Sequence, residues 1–176
     1  MPNNKLEADA SLDERLYQQL KIIAKKLMAQ ERKNHTLSPT ALVHEAYVKI
    51  SKGDVIFEDQ KHYFRTLARQ MRRVLIDHAR HKSTLKNKSV NDDIIYTDSL
   101  GLSNNNIDFS YINDAIEELK IMDERSSEII DLVYFAALPQ AQVAEYMDVS
   151  IKTVERDLKF GRAFINEYIH DLGYDK

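Results

Sequence analysis

The sequence predicts an all-α protein made of two small helical domains joined by a flexible acidic linker, with a helix-turn-helix at the C-terminus. Apolar residues recur with the 3.6-residue period of a helix through most of the 176 residues. Only four Gly and three Pro are present, and no strand-turn-strand signature is found. Periodicity is lost between residues 84 and 110, where Gly101 and a run of Asn are typical of a linker. We therefore expect an N-terminal domain at residues 8–84, a linker at 85–110 and a C-terminal domain at 111–172.

Three amphipathic helices are predicted in the N-terminal domain. The first has an apolar face formed by Leu16, Leu20, Ile23 and Leu27. A second helix, at residues 40–50, has Ser38 as its N-cap and Pro39 in its first turn. Its expected core residues are Leu42, Val43, Ala46 and Ile50. The third helix, at residues 61–81, carries arginines on its outer faces and an inner stripe of Phe64, Leu67, Ala68, Met71, Val74 and Leu75.

Four helices are predicted in the C-terminal domain. Apolar spacing places the first two around Ile112, Ile116 and Leu119, and around Ile129, Ile130, Val133 and Tyr134. A short third helix begins at Pro139 and buries Val143, Ala144 and Met147. Asp148 tolerates the positive φ that the following turn needs, and Ser150 is a suitable N-cap. The last helix, at residues 151–168, should bury Ile151, Val154, Leu158, Phe164 and Ile165, and present Lys152, Arg156 and Lys159 to a DNA groove.

Charge is strongly segregated along the chain, although the net charge is only −3. Residues 61–88 hold nine Lys and Arg against one Asp, a net of +8, whereas residues 92–131 hold eleven Asp and Glu against two cations, a net of −9. The first segment attracts phosphate and the second repels it. The absence of Cys excludes disulfides and Cys-ligated zinc. Because the sequence has neither an apolar signal-peptide core nor a membrane span of about 18 residues, we expect a cytoplasmic protein.

Two stretches carry a resemblance to a known family. The first is ALVHEAY at residues 41–47 together with RRVLIDHAR at residues 72–80, and the second is VAEYMDVSIKTV at residues 143–154. In this order and spacing they resemble the extracytoplasmic-function (ECF) group of bacterial sigma factors, the promoter-reading subunits of RNA polymerase. The resemblance implies a non-enzymatic factor that binds RNA polymerase core and double-stranded promoter DNA. Such factors are commonly held inactive by an anti-sigma protein, and we expect no cofactor, metal or small-molecule ligand.

The resemblance also implies three binding surfaces. The helix at residues 40–50 would dock on the clamp helices of the polymerase through Leu42, Glu45 and Lys49, although a core role explains Leu42 equally well. The basic third helix would recognise and open the −10 element, with cations on the phosphates of the melted strand and aromatic rings on an unstacked base. The residues expected there are Phe57, Lys61, His62, Tyr63, Arg65, Arg69, Arg72 and Arg73. The last helix would read the −35 element in the major groove through Ser150, Lys152, Thr153, Glu155, Arg156, Lys159 and Arg162.

Two other functions fit parts of the sequence. A stand-alone transcriptional regulator would need only the C-terminal helix-turn-helix, leaving the N-terminal domain to sense a ligand or dimerise. A metal-dependent helical nuclease would use Asp77, His78 and His81 beside the basic residues. His78, however, lies on the apolar stripe, and the spacing supplies no further metal ligands. A nuclease would cut DNA with a divalent metal alone, whereas a sigma factor requires polymerase.

Overall fold

The computed structural model describes residues 4–27, 38–53, 56–85 and 109–172, and every regular element within these ranges is helical. The helices are α1 (Asn4–Leu27), α2 (Pro39–Ser51), α3 (Gln60–Leu85), α4 (Phe109–Met122), α5 (Glu124–Ile130), α6 (Gln140–Met147) and α7 (Ile151–Asp171). A π-helical turn, Asp131–Phe135, continues α5. The predicted all-α class is confirmed, whereas the linker expected at residues 85–110 lies almost wholly outside the described residues.

Helices α1, α2 and α3 pack through the apolar faces that their sequences predict. Leu16, Leu20 and Ile23 of α1 are buried, as are the four expected core residues of α2 and the six of α3. The Ser38 hydroxyl accepts a hydrogen bond from the Ala41 amide at 3.1 Å, so α2 begins with the predicted cap. The side chain of Leu27 lies outside the described residues.

The remaining helices form a second group in which α7 packs against α4, α5 and α6. Asp123 caps α5 by accepting a hydrogen bond from the Ser126 amide, at 3.2 Å. Helix α6 ends at Asp148, which adopts the left-handed conformation (φ 53°, ψ 48°) expected of the turn. Ser150 then caps α7 by accepting a hydrogen bond from the Thr153 amide at 3.1 Å. Local capping chemistry therefore sets the break between α6 and α7.

Three details of the C-terminal group differ from the sequence prediction. Pro139 is the N-cap of α6 rather than its first residue, because its ψ of 144° is extended. Met147 and Phe164 are only half-buried. Ile151, expected in the core, is 48% exposed, because the side of α7 that is buried begins one turn later at Val154.

The two groups of helices are joined by extensive packing between α3 and both α4 and the π-helical turn. Leu132 and Phe135 of that turn are buried, and the buried apolar residues of both groups belong to one continuous core. The rings of Phe64 on α3 and Tyr146 on α6 lie 5.4 Å apart between centroids. Within the described part of the chain, none of the helices is long and apolar enough to cross a membrane.

Candidate nucleic-acid interface

An aromatic cluster lies where the chain enters α3. The Phe57 ring meets His62 and Tyr63 edge-on, with centroid distances of 6.0 and 5.0 Å. The Asp59 carboxylate accepts a hydrogen bond from the His62 amide at 2.7 Å, and the Glu58 amide donates to Nδ1 of His62 at 3.3 Å. All three rings are half-buried, and burial raises the pKa of the Tyr63 hydroxyl. Phe57, just before α3, and His62 and Tyr63, in its first turn, therefore form one cluster of predicted site residues with part of each ring accessible.

The cations of α3 fall into two sets that differ in exposure. Lys61, Arg69 and Arg73 are exposed, as expected for residues that contact phosphates. Arg65 and Arg72 are less exposed and pair with carboxylates of the C-terminal helices, Arg65 with Glu128 of α5. The structure thus separates five residues that the sequence presented as one basic surface.

Arg72 is only 6% exposed, although the sequence indicated a surface contact. Its Nε lies 3.0 Å from Oδ1 of Asp131, and its Nη2 lies 2.9 Å from Oε1 of Glu117. Its Nη1 also donates a hydrogen bond to Oδ1 of Asn113 at 2.9 Å. Because two carboxylates and an amide surround the guanidinium, Arg72 has no accessible face for DNA in this conformation. The expectation of an exposed Arg72 is corrected accordingly.

A cleft of about 320 Å³ separates α3 from α4, α5 and the π-helical turn. Cations of α3, including Arg69 and Arg73, line one wall, and Glu117, Glu124 and Asp131 line the other. Desolvation is the main influence on Asp131 and raises its pKa to about 6, against the opposing effects of Arg72 and Arg69. The cleft is therefore a charged boundary between the basic and acidic parts of the chain.

The three residues of α2 that are expected to bind polymerase differ in how far they are buried. Leu42 is fully buried, which agrees with the core role and leaves no side-chain surface for docking. Lys49 lies 3.3 Å from Glu45 and 2.8 Å from Asp77 on α3, and both partners are exposed. The hydrogen bond to Asp77 is the main cause that raises the pKa of Lys49. Glu45 and Lys49 thus share one charged surface that links α2 to α3.

The predicted contacts on α7 lie mainly on its exposed side. Lys152, Glu155, Arg156 and Lys159 are exposed, whereas Thr153 and Arg162 are half-buried. The hydroxyls of Ser150 and Thr153 lie 2.9 Å apart, so both take part in the helix cap. Four charged side chains at the start of α7 consequently form one accessible surface.

Asp157 is a structural residue that the sequence analysis missed. It is only 3% exposed, and its Oδ2 accepts a hydrogen bond from Nε of Arg125 at 2.6 Å. Its other oxygen lies 3.1 Å from Nη2 of Arg156. Helical spacing could have predicted the burial of Asp157, because residue 157 is three positions after Val154 and falls on the same face of the helix. Asp157 therefore anchors α7 to α5 and restrains a residue expected to contact DNA.

The residues proposed for a nuclease do not form a metal site in the described part of the chain. Asp77 is exposed and bonded to Lys49, and the side chains of His78 and His81 lie outside the described residues. No group of three His, Asp or Glu side chains that could hold a metal ion occurs among the residues described. Among the described residues, the arrangement provides positive charge and aromatic surface for binding.

Comparison with known proteins identifies the family. The family model described as ECF sigma factor matches residues 4–171 of the 176. No curated protein and no solved structure matches the chain. The match spans both groups of helices, including the basic α3 and the charged surface of α7. The chain therefore belongs to the ECF sigma factors.

Proposed function

We propose that this sigma factor recognises promoters at two places, with α3 at the −10 element and α7 at the −35 element. Membership of the family assigns it a role in transcription initiation, with RNA polymerase core and promoter DNA as partners. The observation that carries the finer proposal is the pairing of an exposed basic surface on α3 with a separate charged surface on α7. An anti-sigma partner is a further expectation from the family resemblance.

Helix α3 has the chemistry needed to hold a melted strand. Lys61, Arg69 and Arg73 are exposed and can neutralise phosphates. Next to them, the cluster of Phe57, His62 and Tyr63 offers ring surface for an unstacked base. Arg65 and Arg72 would join this surface only after α3 separates from the C-terminal helices.

Helix α7 has the features of a recognition helix with weak intrinsic affinity. Lys152 and Lys159 can contact phosphates or base edges, and Glu155 can accept a hydrogen bond from a cytosine amine. Arg156 is partly neutralised by its ion pair with Asp157. We therefore expect α7 to act mainly when polymerase holds both DNA-binding surfaces near one promoter, which raises their effective concentration.

Docking on the polymerase clamp is assigned to the exposed edge of α2. Glu45 and Lys49 lie there as an ion pair, whereas Leu42 supports the helix from the core. Substitution of Glu45 by Lys should weaken binding to core polymerase and leave the helical content unchanged. Unaltered binding to core would place the docking surface elsewhere.

Transcription from purified components tests the promoter proposal. Wild type, the double variant Arg69→Ala/Arg73→Ala and the control Lys21→Ala/Lys25→Ala would each be combined with bacterial core polymerase and genomic fragments. Each variant removes two exposed cations, and the control removes them from α1. Specific starts should disappear in the α3 variant and persist in the control, with core binding retained in both. Equal transcription by the α3 variant and the control would exclude the exposed α3 cations from promoter recognition. Specific DNA binding by the protein without core polymerase would favour a stand-alone regulator.

A further inference from the structure

We propose that Phe160 is a specificity-determining residue of α7, which selects a thymine by contact with its C5 methyl group in the major groove. The side chain of Phe160 is large and apolar, yet it is 43% exposed. Neither the core nor the charged contacts described above give this ring a role. Its role in base selection rests on the −35 function proposed for α7 and adds an apolar base contact to that function.

Phe160 belongs to a row of exposed side chains along the outer side of α7. Lys152, Arg156 and Phe160 follow one another at intervals of four residues and therefore lie on one side of the helix. At about 1.5 Å per residue the row is about 12 Å long, which is about the width of the major groove. A helix that places Lys152 and Arg156 in the groove therefore brings Phe160 to the base edges as well.

The charges beside Phe160 favour DNA as the partner of this row. A single exposed apolar side chain is common on protein surfaces, so exposure alone does not indicate a partner. The exposed charged residues within positions 152–159 are three cations and one acid, a net of +2: Lys152, Glu155, Arg156 and Lys159. Because these cations attract the phosphates of a duplex, the bases of that duplex come to lie next to the ring.

The inner side of α7 is held in place at the level of Phe160. Gly161, the next residue, lies so close to α5 that a Cβ added there would be 2.9 Å from Cγ1 of Ile130. One turn earlier, the Asp157 carboxylate accepts a 2.6 Å hydrogen bond from Nε of Arg125. Both contacts fix the position of the helix behind the ring. A residue that discriminates between bases requires such support.

The chemistry of the ring determines which base it can select. In the major groove, adenine, guanine and cytosine present hydrogen-bond donors and acceptors, whereas thymine also presents a methyl group. The side chain of Phe has no atom that forms a conventional hydrogen bond, so it would leave the polar edge of another base without a partner. We therefore expect Phe160 to favour thymine over the other three bases.

Replacement of thymine by deoxyuridine tests this contact, because the exchange removes the methyl group and retains base pairing. A promoter would be selected from genomic fragments by core polymerase together with the full-length protein, and each thymine of its upstream element would be replaced in turn. Fluorescence anisotropy at fixed salt would measure binding. Wild type should bind one substituted duplex about fourfold more weakly than the parent duplex, as the loss of one buried methyl group implies. Phe160→Ala should bind both duplexes equally.

Leu172→Ala is the matched control, since it removes another exposed apolar side chain, at the C-cap of α7. This variant should discriminate between the parent and substituted duplexes as wild type does. Circular dichroism would verify that both variants retain their helical content. Equal discrimination by wild type and Phe160→Ala, an effect at no thymine, or an upstream element without thymine would overturn the role of Phe160.

The double variant Lys152→Ala/Lys159→Ala separates this role from the −35 function on which it rests. If the double variant binds the promoter as tightly as wild type, the −35 function of α7 fails, and the role of Phe160 fails with it. If the double variant binds more weakly but no thymine shows the methyl effect, only the role of Phe160 fails. Weaker binding of Phe160→Ala to core polymerase without DNA would assign the ring to a protein contact instead.

Discussion

Individual charged residues of this chain take their roles from the side of the helix on which they lie. Asp157 is surrounded in sequence by residues expected to face DNA, yet its carboxylate is buried between Arg125 and Arg156. Its hydrogen bond with Arg125 raises the pKa of that guanidinium. The Asp157 side chain therefore holds α7 against α5.

Substitution of Asp157 by Ala should lower the free energy of unfolding by about 1–3 kcal/mol, because it removes a buried acceptor and leaves Arg125 without its partner. Urea unfolding followed by circular dichroism would measure the change. The exposed Glu167→Ala on the same helix should stay within about 0.5 kcal/mol of wild type. Equal stability of the two variants would show that Asp157 has no anchoring role.

Gly161 lies where α7 packs against Leu119 of α4 and Ile130 of α5. A Cβ at this position would be 2.9 Å from Cγ1 of Ile130 and 3.3 Å from Cδ2 of Leu119. Although Ala improves intrinsic helix propensity by about 1 kcal/mol, overpacking a buried contact costs about 1–3 kcal/mol. Gly161→Ala should therefore have a lower thermal midpoint than wild type. A higher midpoint would mean that the neighbouring side chains accommodate the added methyl group.

At the scale of elements, short polar caps decide where the C-terminal helices begin. Asp123 accepts hydrogen bonds from the amide and the hydroxyl of Ser126, at 3.2 and 2.7 Å. Ser150 performs the same task for α7, and Asp148 supplies the left-handed residue between α6 and α7. These local features position the start of α7.

The cap at Asp123 should make stability fall in acid. The hydrogen bond from the Ser126 side chain is the main cause that lowers the pKa of Asp123. Its stabilising contribution is therefore present above the pKa of the unfolded chain and is lost as pH falls through the lower pKa of the folded state. Asp123→Ala should cost about 1 kcal/mol at pH 7. Urea unfolding at pH 7 and pH 3 should show the difference from wild type narrowing in acid, and a constant difference would contradict the cap's ionic character.

For the whole molecule, the boundary between α3 and the acidic helices determines which basic residues are accessible. Asp131 faces Arg72 and Arg69 of α3, with Glu117 of α4 beside it. Burial raises its pKa to about 6, so its protonated form is favoured in the folded state relative to the unfolded chain. The stabilising contribution of protonated Asp131 is fully present below the pKa of this residue in the unfolded chain, and it is lost as pH rises through about 6.

The contribution of Asp131 should therefore make the wild-type protein more stable at pH 5 than at pH 7, relative to Asp131→Asn. Asn cannot ionise, so the variant lacks this part of the pH dependence while retaining a side chain of similar shape. Urea midpoints of the two proteins at both pH values would measure the effect. A constant difference in midpoint between pH 5 and 7 would show that Asp131 does not titrate in this range.

The helical class, most helix boundaries and the segregation of charge can be predicted from the amino-acid sequence alone. Apolar periodicity and capping residues act over a few positions, and α2 and the start of α7 follow from them directly. The same local patterns supplied the family resemblance and its candidate residues. They also indicated the exposed cations Lys61, Arg69 and Arg73.

Which charged residues are accessible depends on how the helices pack together. Arg72 and Asp131 are 59 positions apart, and no local pattern indicates that they form a buried pair. The same is true of Arg125 with Asp157, and of the close approach at Gly161. Periodicity assigns a residue to one side of a helix, but the chain must fold before that side acquires a neighbour. Burial and charge pairing at this boundary are therefore properties of the packed molecule.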